Sequence, residues 1–298
     1  MQLLGVGDCA PELWHNVSVP SIVTYARGEQ HAQAVGFIRA VAARLPHSLL
    51  LYNLGLTSHS YNIITNYCNS SKCIIIDFNL DAFPSHVSDE NIHAYRPLII
   101  QHALSRTGGV VFADNWQRWV GDEAQLRSAW TLAAGEGRAG VAAWARRTAV
   151  TSLTHPRMFH YLHARLDDFL FVPMVDVSRM MVARSATLDR IMKRWIQCAL
   201  TLDCIMPIGA QSGGCRFDKK PQYRYSGCHG QDASALSIIL GLHFGFEEAQ
   251  YTVRPRRVLW RRATEAAALA EFTELERNTT EEFRSDRTSD HALTQRST

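Results

Sequence analysis

Short apolar segments of strand length alternate with helical patterns in the first part of the chain, and this alternation leaves few folds open to it. The segments read SLLLY, CIIIDF and VVFAD, at residues 48–52, 73–78 and 110–114. Patterns of helical spacing or length lie before and between them, at residues 31–45, 58–67 and 91–104. Strands without a polar face must be covered on both sides. The alternation therefore predicts an α/β fold, with a central and mostly parallel sheet flanked by helices.

Polar residues stand at the ends of two of these segments. Asn53 and Gly55 follow the first segment, and Asp114 closes the third. In open α/β sheets, ligands bind beside the carboxyl ends of the strands. We therefore expect a ligand site here, in which Asp114 contacts a metal ion or a ribose. A turn or a helix cap is the structural alternative for this residue.

A second carboxylate, Asp232, begins a predicted helix at residues 232–242. It can simply cap that helix, or a loop fixed by a disulfide can hold it at the edge of a cleft. Arg96 and Arg118 suit a diphosphate in the same cleft, because the guanidinium fork matches phosphate oxygens. Together these residues predict a site with charges of both signs.

Six of the seven cysteines fall into pairs that are close in sequence. Zinc ribbons and fingers separate paired cysteines by roughly two to four residues, and none of the intervals here fits. The spacing favours two or three disulfides over the reduced, buried thiols that a cytosolic α/β enzyme would have. The pairs are Cys68–Cys73, Cys198–Cys204 and Cys215–Cys228, which leaves Cys9 unpaired.

The sequence gives conflicting indications of a compartment. It has no apolar stretch of about 18 residues and no usual signal peptide at its N-terminus, so it predicts no membrane span. Three N-x-S/T sequons, at Asn16, Asn69 and Asn278, agree instead with the disulfides in indicating the secretory pathway. A targeting segment or anchor missing from this chain would reconcile these observations.

The net charge of +3 is the sum of the charges of two unlike parts of the chain. Residues 263–298 hold eight acidic residues and four arginines, whereas the preceding residues carry a net charge of +7. So small a basic excess predicts no nucleic-acid partner, but it suits a phosphate-bearing ligand. We expect an irregular segment at residues 1–20, a folded domain at residues 21–262 and an acidic, partly helical or disordered tail at residues 263–298.

A series of motifs follows in order along the predicted domain. They read LYNLGL (51–56), CNSSKC (68–73), FPSHV (83–87), YRPLIIQ (95–101), ADNWQRW (113–119), THPRMF (154–159), WIQCALTLDCIMPIGA (195–210) and CHGQDASALSIIL (228–240). The first is similar to a YDLGL strand and turn of nucleotide-sugar transferases with the GT-A fold. The ordered set resembles an animal family of glycosyltransferase-like proteins, over about residues 20–262.

The resemblance implies a single GT-A-like domain that moves a sugar from a nucleotide-diphosphate donor to a hydroxyl of a glycan or protein acceptor. It implies catalytic roles for Asp232 and Asp114, and donor contacts from Tyr52, Asn53, Gly55, Arg96, Arg118, His229 and Gln231. It also implies Mn²⁺ or Mg²⁺ at Asp114. Members of such families usually lie in the Golgi lumen behind an N-terminal anchor, which would account for the sequons and the disulfides.

Two positions depart from the family's pattern. The family has an aspartate where this chain has Asn53, and a D-S-S-like tripeptide where this chain has Asp114-Asn115-Trp116. Neither matches the Asp-x-Asp that holds Mn²⁺ in many transferases, and a single carboxylate binds such an ion less tightly. The alternative expectation is a catalytically inactive secretory-pathway domain of the same fold that binds glycans or proteins.

Overall fold

The structure, a computed structural model, describes residues 19–135, 139–218, 220–253 and 259–294, with side chains up to residue 279. Cys9, Asn16 and most of the predicted irregular segment at residues 1–20 lie outside these ranges, as do the last residues of the predicted tail. The described residues form one α/β unit in which helices cover both faces of a central sheet.

The strands of the central sheet are Ser21–Gly28 (β1), Leu49–Leu56 (β2), Cys73–Asp77 (β3), Gly109–Ala113 (β4), Val141–Ala149 (β6), Pro173–Ala183 (β7) and Thr252–Val253 (β8). Their order across the sheet is β3-β2-β1-β4-β7-β6-β8. Strands β1 to β4 pair in parallel, as does β6 with β8, whereas β7 is antiparallel to both of its neighbours. Gln117–Trp119 (β5) and Trp260–Arg262 (β9) form a separate antiparallel ribbon.

The described α-helices are His31–Ala42 (α1), Ser58–Tyr67 (α2), Tyr95–Thr107 (α3), Glu123–Ala134 (α4), Pro156–Tyr161 (α5), Ala186–Ala199 (α6), Leu202–Ile205 (α7), Gln231–His243 (α8) and Glu265–Thr294 (α9). Because successive strand residues point to opposite faces, β4 contributes to two apolar cores. Val110 and Phe112 pack with α3, α6 and α8. Val111 and Ala113 pack with α1 and α4 on the other face.

The α/β fold predicted from the sequence is confirmed. All three apolar segments form strands, β2, β3 and β4, and the helices predicted before and between them are α1, α2 and α3. Helix α3 begins later than predicted, at Tyr95 instead of residue 91. This start places Arg96 in the first turn of the helix, beside the carboxyl end of β4.

The central strand β1 and the helix α4 are not predicted from the sequence. The segment SIVTYARG of β1 mixes polar and apolar residues, yet Thr24 is fully buried and Tyr25 is 1% exposed. Tyr25 Oη accepts a hydrogen bond from Tyr95 Oη at 3.2 Å, which satisfies a polar group that burial would otherwise leave without a partner. A strand with polar residues can therefore lie at the centre of this sheet.

The first part of the acidic tail packs against the α/β unit. It forms the start of α9, in which Phe272 is 6% exposed and its ring contacts that of His31 in α1. Glu271 forms an ion pair with Arg118 at 2.9 Å. These contacts fix the beginning of α9 to the helix layer that covers β1 and β4.

All three predicted disulfides are present, namely Cys68–Cys73, Cys198–Cys204 and Cys215–Cys228. Disulfides of this kind are typical of proteins of the secretory pathway. Asn69, inside the first disulfide loop, and Asn278 are both exposed. Across the described ranges, the helices are too short or too polar for any of them to cross a bilayer.

Candidate active site

A cleft of about 700 Å³ opens beside the carboxyl end of β4. The starts of α3 and α8 line it, together with part of β7, the loop closed by Cys215–Cys228 and the β5–β9 ribbon. Its charged lining residues are Glu90, Arg96, Arg146, Asp176, Arg179, Asp232 and Arg262. This is the edge of the sheet at which the sequence predicts a ligand site.

A single guanidinium holds two buried carboxylates at the base of this cleft. Arg96 Nε donates to Asp114 Oδ1 at 3.0 Å, and Arg96 Nη2 donates to Asp114 Oδ2 at 2.7 Å. Arg96 Nη1 donates to Asp232 Oδ2 at 3.0 Å. The three side chains are at most 5% exposed. We refer to Arg96, Asp114 and Asp232 as the Arg96 cluster.

The ends of three elements bring this cluster together. Asp114 follows β4, and its backbone N–H donates to Ser178 O of β7 at 2.9 Å. Asp232 lies in the first turn of α8, where its Oδ1 accepts from Ala233 N at 2.8 Å. The Trp195 indole of α6 donates to Asp232 O at 2.9 Å. Asp232 Oδ1 thus satisfies an N–H of the first turn, but the N-cap of α8 is Gly230 and has no side-chain cap bond, and the other carboxylate oxygen of Asp232 binds Arg96.

The Arg96 cluster carries one negative charge in excess when both of its carboxylates are ionised. Burial raises the pKa of Asp114 to about 6, while Arg96 acts in the opposite direction. Burial likewise raises the pKa of Asp232 against the effect of Arg96. Burial alone would lower the pKa of Arg96, but the two carboxylates raise it well above its usual value. The guanidinium therefore stays charged, and negative charge accumulates at the base of the cleft as the pH rises.

Three further arginines line the cleft, and the sequence analysis does not identify them. Arg146 Nη2 and Arg179 Nε lie 3.3 and 3.4 Å from carboxylate oxygens of Asp176. The Arg262 guanidinium lies over the Trp116 ring, 5.6 Å from its centre. A signal for Arg146 and Arg179 exists in the sequence, because polar residues interrupt the otherwise apolar strands β6 and β7. The exposed Arg262 belongs to a three-residue strand that no pattern marks.

The residues expected to bound a nucleobase do not line this cleft. Tyr52 is buried in the apolar core, where its hydroxyl hydrogen-bonds to His102 Nδ1 at 2.8 Å. Asn53 Oδ1 accepts from Gly55 N at 3.0 Å, and Asn53 Nδ2 donates to Asp77 Oδ1 at 2.8 Å. A carboxylate at position 53 would repel Asp77 instead. Asn53 therefore shapes the turn after β2, and the donor contacts of Tyr52, Asn53 and Gly55 stay a prediction that this cleft does not support.

Arg118, predicted as a donor contact, does not line this cleft either. Arg118 Nε donates to Glu271 Oε2 at 2.9 Å, and its Nη1 donates to the carbonyl oxygens of Asn115 and Gln117. It lines a separate cavity of about 430 Å³ between α1, β5 and α9. Arg118 therefore does not share a cleft with Arg96.

The close approach of Arg118 to α1 leads to a prediction for Gly36. A Cβ atom at position 36 would lie 2.2 Å from Arg118 Nη2. We expect Gly36→Ala to lower the free energy of unfolding by about 1–3 kcal/mol through overpacking, although alanine favours helices. Urea denaturation would measure the change. Gly213→Ala is the matched control, since a Cβ there meets nothing within 4 Å, and equal stability of the two variants would contradict the prediction.

His229 and Gln231 both line the cleft, as expected for donor contacts. The two ring nitrogens of His229 are occupied, because Nε2 donates to Ile205 O at 3.1 Å and Nδ1 accepts from His155 N at 3.2 Å. Gln231 Nε2 donates to Ser212 Oγ at 2.7 Å, and its backbone has a φ of 41°. His229 therefore positions the loop before α8, while Gln231 presents its side chain to the cleft from a strained backbone.

The buried imidazole of His229 leads to a prediction about pH. Burial lowers its pKa to about 4, whereas the unfolded chain has a histidine pKa of about 6.5. The unfolded state then binds more protons, so stability present above about pH 6.5 is lost as the pH falls towards 4. We expect the stability advantage of the wild type over His229→Gln to shrink by about 2 kcal/mol between pH 7 and pH 4.5.

Urea denaturation of both proteins at the two pH values would test this expectation. Asp114 acts in the opposite direction, because its raised pKa means that its contribution is lost as the pH rises from about 4 to 6. The difference between wild type and variant removes this shared effect. A difference that does not change with pH would show that His229 is not neutral in the folded state.

The sequence analysis predicts Mn²⁺ or Mg²⁺ at Asp114, but the residues around Asp114 do not fit a divalent metal ion. Mn²⁺ and Mg²⁺ need several oxygen ligands, and Arg96 engages both carboxylate oxygens of Asp114. Asn115 Nδ2 donates to Gln30 Oε1 at 2.9 Å and its buried Oδ1 has no hydrogen-bond partner, so Asn115 offers one neutral oxygen, and Trp116 has no side-chain oxygen. Among the described residues, no three His, Cys, Asp or Glu side chains are grouped so that they could hold a metal ion.

The chain resembles solved structures of glycosyltransferases. The apo form of mouse xyloside xylosyltransferase 1 is 10% identical with a TM-score of 0.46, over 78% of this chain and 84% of that one. Core-mannan synthase A from Aspergillus fumigatus, in its Mn/GDP form, is 10% identical with a TM-score of 0.46, over 78% and 73% of the two chains. The galactosyltransferase LgtC, in complex with donor and acceptor sugar analogues, is 12% identical with a TM-score of 0.38, over 59% of each chain.

No protein-family model and no curated protein sequence matches the chain. The identities of 10–12% limit the likeness to the general arrangement of the sheet and helices.

Proposed function

We propose that this cleft transfers a sugar from a nucleotide-diphosphate donor to an acceptor hydroxyl. The observation that carries the proposal is the buried Arg96 cluster at the base of a cleft that also contains Arg146, Arg179 and Arg262. The cleft volume of about 700 Å³ falls in the range of ligand sites. The cleft contains positive and negative side chains, and charge of both signs develops during this reaction.

The arginines suit the leaving group. When a glycosidic bond to a diphosphate breaks, negative charge accumulates on the phosphate oxygens. Arg146 and Arg179 are 43% and 27% exposed and share a single carboxylate, Asp176, so their remaining donors are available to a diphosphate. Arg262 adds a third cation beside Trp116. Because no metal ion fits Asp114, we propose that these arginines stabilise the leaving group.

The Arg96 cluster suits the donor sugar, the part of the substrate on which positive charge develops. Positive charge develops on the sugar ring as the bond to the diphosphate breaks. Asp232 lines the cleft and belongs to a cluster with one negative charge in excess. We propose that Asp232 faces the donor sugar, where it orients the sugar hydroxyls and stabilises the developing charge, while Asp114 acts through Arg96.

The proposed reaction balances without a further reactant. The bond between the anomeric carbon and the diphosphate oxygen breaks, and its electron pair leaves with the nucleoside diphosphate. A new bond forms between the anomeric carbon and the acceptor oxygen. The proton of the acceptor hydroxyl passes to a phosphate oxygen of the departing diphosphate, which the arginines hold in the same cleft.

A panel of UDP-, GDP- and CMP-linked sugars tests the proposal. We expect at least one to bind, by calorimetry, and to release its nucleotide, both in EDTA and in Mn²⁺. Arg179→Met should weaken that binding about tenfold, the loss of one charge-assisted contact, whereas the exposed Arg190→Met should not. If no nucleotide sugar binds or turns over, the proposal fails. If turnover requires Mn²⁺, the role given to the arginines fails.

A catalytically inactive domain is the second candidate. The observation that favours it is the bidentate contact of Arg96 with Asp114, which leaves neither Asp114 oxygen for a metal ion. Such a domain would bind glycans or proteins in the cleft without binding any nucleotide sugar. This candidate would be established if the protein binds glycans but binds none of the nucleotide sugars in the panel.

We propose the Golgi lumen as the compartment and Asn69 and Asn278 as glycosylated positions. The three disulfides and the exposure of both asparagines support this. Protein purified from its own cells should lose mass on treatment with peptide N-glycosidase. A protein whose cysteines are all reduced and whose mass does not change would contradict both proposals.

A further inference from the structure

A second cavity, of about 480 Å³, has aromatic rings in its wall. Phe171 is 81% exposed and Phe217 is 54% exposed. The ring of Phe171 meets that of Tyr223 edge to face, with 5.5 Å between the centroids. Aromatic side chains grouped at a surface in this way indicate a binding site.

The second cavity adjoins the proposed donor cleft. Phe217 lines both. The consecutive residues Arg146 and Arg147 of β6 line the cleft and the second cavity respectively. A molecule in the second cavity can therefore extend a substituent towards the Arg96 cluster.

Several contacts hold the loop that carries Phe217 and Tyr223. Thr151 Oγ1 donates to Tyr223 O at 2.7 Å, and Ser226 N donates to Ser152 O at 2.9 Å. The disulfide Cys215–Cys228 closes this loop. On this side of the cavity, backbone ordering therefore costs little conformational entropy when a ligand binds, while the exposed Phe171 ring rests edge to face against Tyr223.

We propose that the second cavity binds a pyranose ring of a saccharide acceptor, an assignment that rests on the function proposed above. The C–H groups of a sugar face pack well on an aromatic ring, whose face is electron-rich. Arg147 and Gln222 line the same cavity and supply hydrogen-bond donors and acceptors for sugar hydroxyls. Aromatic rings beside planar polar groups match the C–H faces and the hydroxyls of a sugar, and this pairing favours a saccharide over an extended peptide.

Saturation-transfer NMR with the methyl glycosides of glucose, galactose, mannose and xylose tests this assignment. We expect at least one glycoside to receive saturation from the aromatic protons on its ring C–H groups. Phe171→Ala should weaken its binding about 3- to 10-fold, the effect of one aromatic contact, and Phe171→Ala with Tyr223→Ala should weaken it further. Phe171→Trp should restore it. Tyr161→Ala, which removes a 42% exposed ring elsewhere, is the matched control.

The outcomes separate this inference from the proposed function. The dissociation constant of the nucleotide sugar should be the same in Phe171→Ala as in the wild type. Binding of the donor without any binding of the glycosides, or glycoside binding that does not depend on Phe171, overturns the acceptor assignment alone. Binding of a serine-containing peptide that depends on Phe171, without glycoside binding, overturns it in favour of a protein acceptor. Glycoside binding without donor binding overturns the proposed transfer and leaves only a saccharide site.

Discussion

Replacing Arg96 by methionine is expected to lower the free energy of unfolding by about 3–5 kcal/mol. The substitution keeps most of the side-chain volume but leaves Asp114 and Asp232 buried without their shared cation. Two adjacent carboxylates in a site of low dielectric repel each other and lose the hydration that the unfolded chain provides. Urea denaturation at pH 7.5 would measure the loss.

The dependence of this loss on pH identifies its cause. Protonation relieves buried carboxylates, so Arg96→Met should lose less stability at pH 5 than at pH 7.5. The exposed Arg190→Met is the matched control and should change stability by less than about 0.5 kcal/mol. A variant at Arg96 that is within about 1 kcal/mol of the wild type at both pH values would mean that the carboxylates do not depend on the arginine.

Asp232→Asn is expected to lower the rate of sugar transfer by about 100- to 1000-fold, with the fold retained. The asparagine oxygen can still accept from Ala233 N, and the bidentate pair of Arg96 and Asp114 is electrically neutral by itself. The excess negative charge beside the donor sugar is lost. Turnover of the nucleotide sugar identified by the panel would measure the effect.

The free energy of unfolding separates a catalytic effect of Asp232→Asn from a structural one. The variant should unfold within about 2 kcal/mol of the wild type, far less than the loss expected for Arg96→Met. Asp203→Asn, at an exposed position in the short helix α7, is the matched control and should transfer at the wild-type rate. Unchanged turnover in Asp232→Asn would show that Asp232 only supports the first turn of α8 and binds Arg96.

The apolar strands were predictable because β2, β3 and β4 are short, continuous apolar runs of strand length. Burial follows this signal in β2 and β4, whereas β3 lies at the edge of the sheet with Ile74 49% exposed. Strand β1 lacks this signal, since Thr24 and Arg27 interrupt it. Its place at the centre of the sheet follows from pairing with β2 and β4, a contact between distant parts of the chain that local patterns do not contain.

The candidate site was predictable only in part, because its contacts also join residues that are distant in the chain. The sequence places Asp114 and Asp232 at one cleft, but it does not show that both would bind one arginine, 18 and 136 residues away. For Arg118, the sequence predicts a place in this cleft that the structure does not show. It is one residue from Gln117 in β5, and because side chains alternate along a strand, Gln117 faces the cleft and Arg118 faces α1.

The β5–β9 ribbon has a consequence for biosynthesis. Arg118 pairs with Arg261 across this ribbon, so the segment that follows Asp114 is completed by a strand that comes after every strand of the central sheet. During synthesis the central sheet can therefore form before Arg262 is made and placed over the ring of Trp116. A chain that terminates before residue 260 would retain its central strands and yet present an incomplete cleft. The acidic segment follows directly on the last strand that the cleft requires.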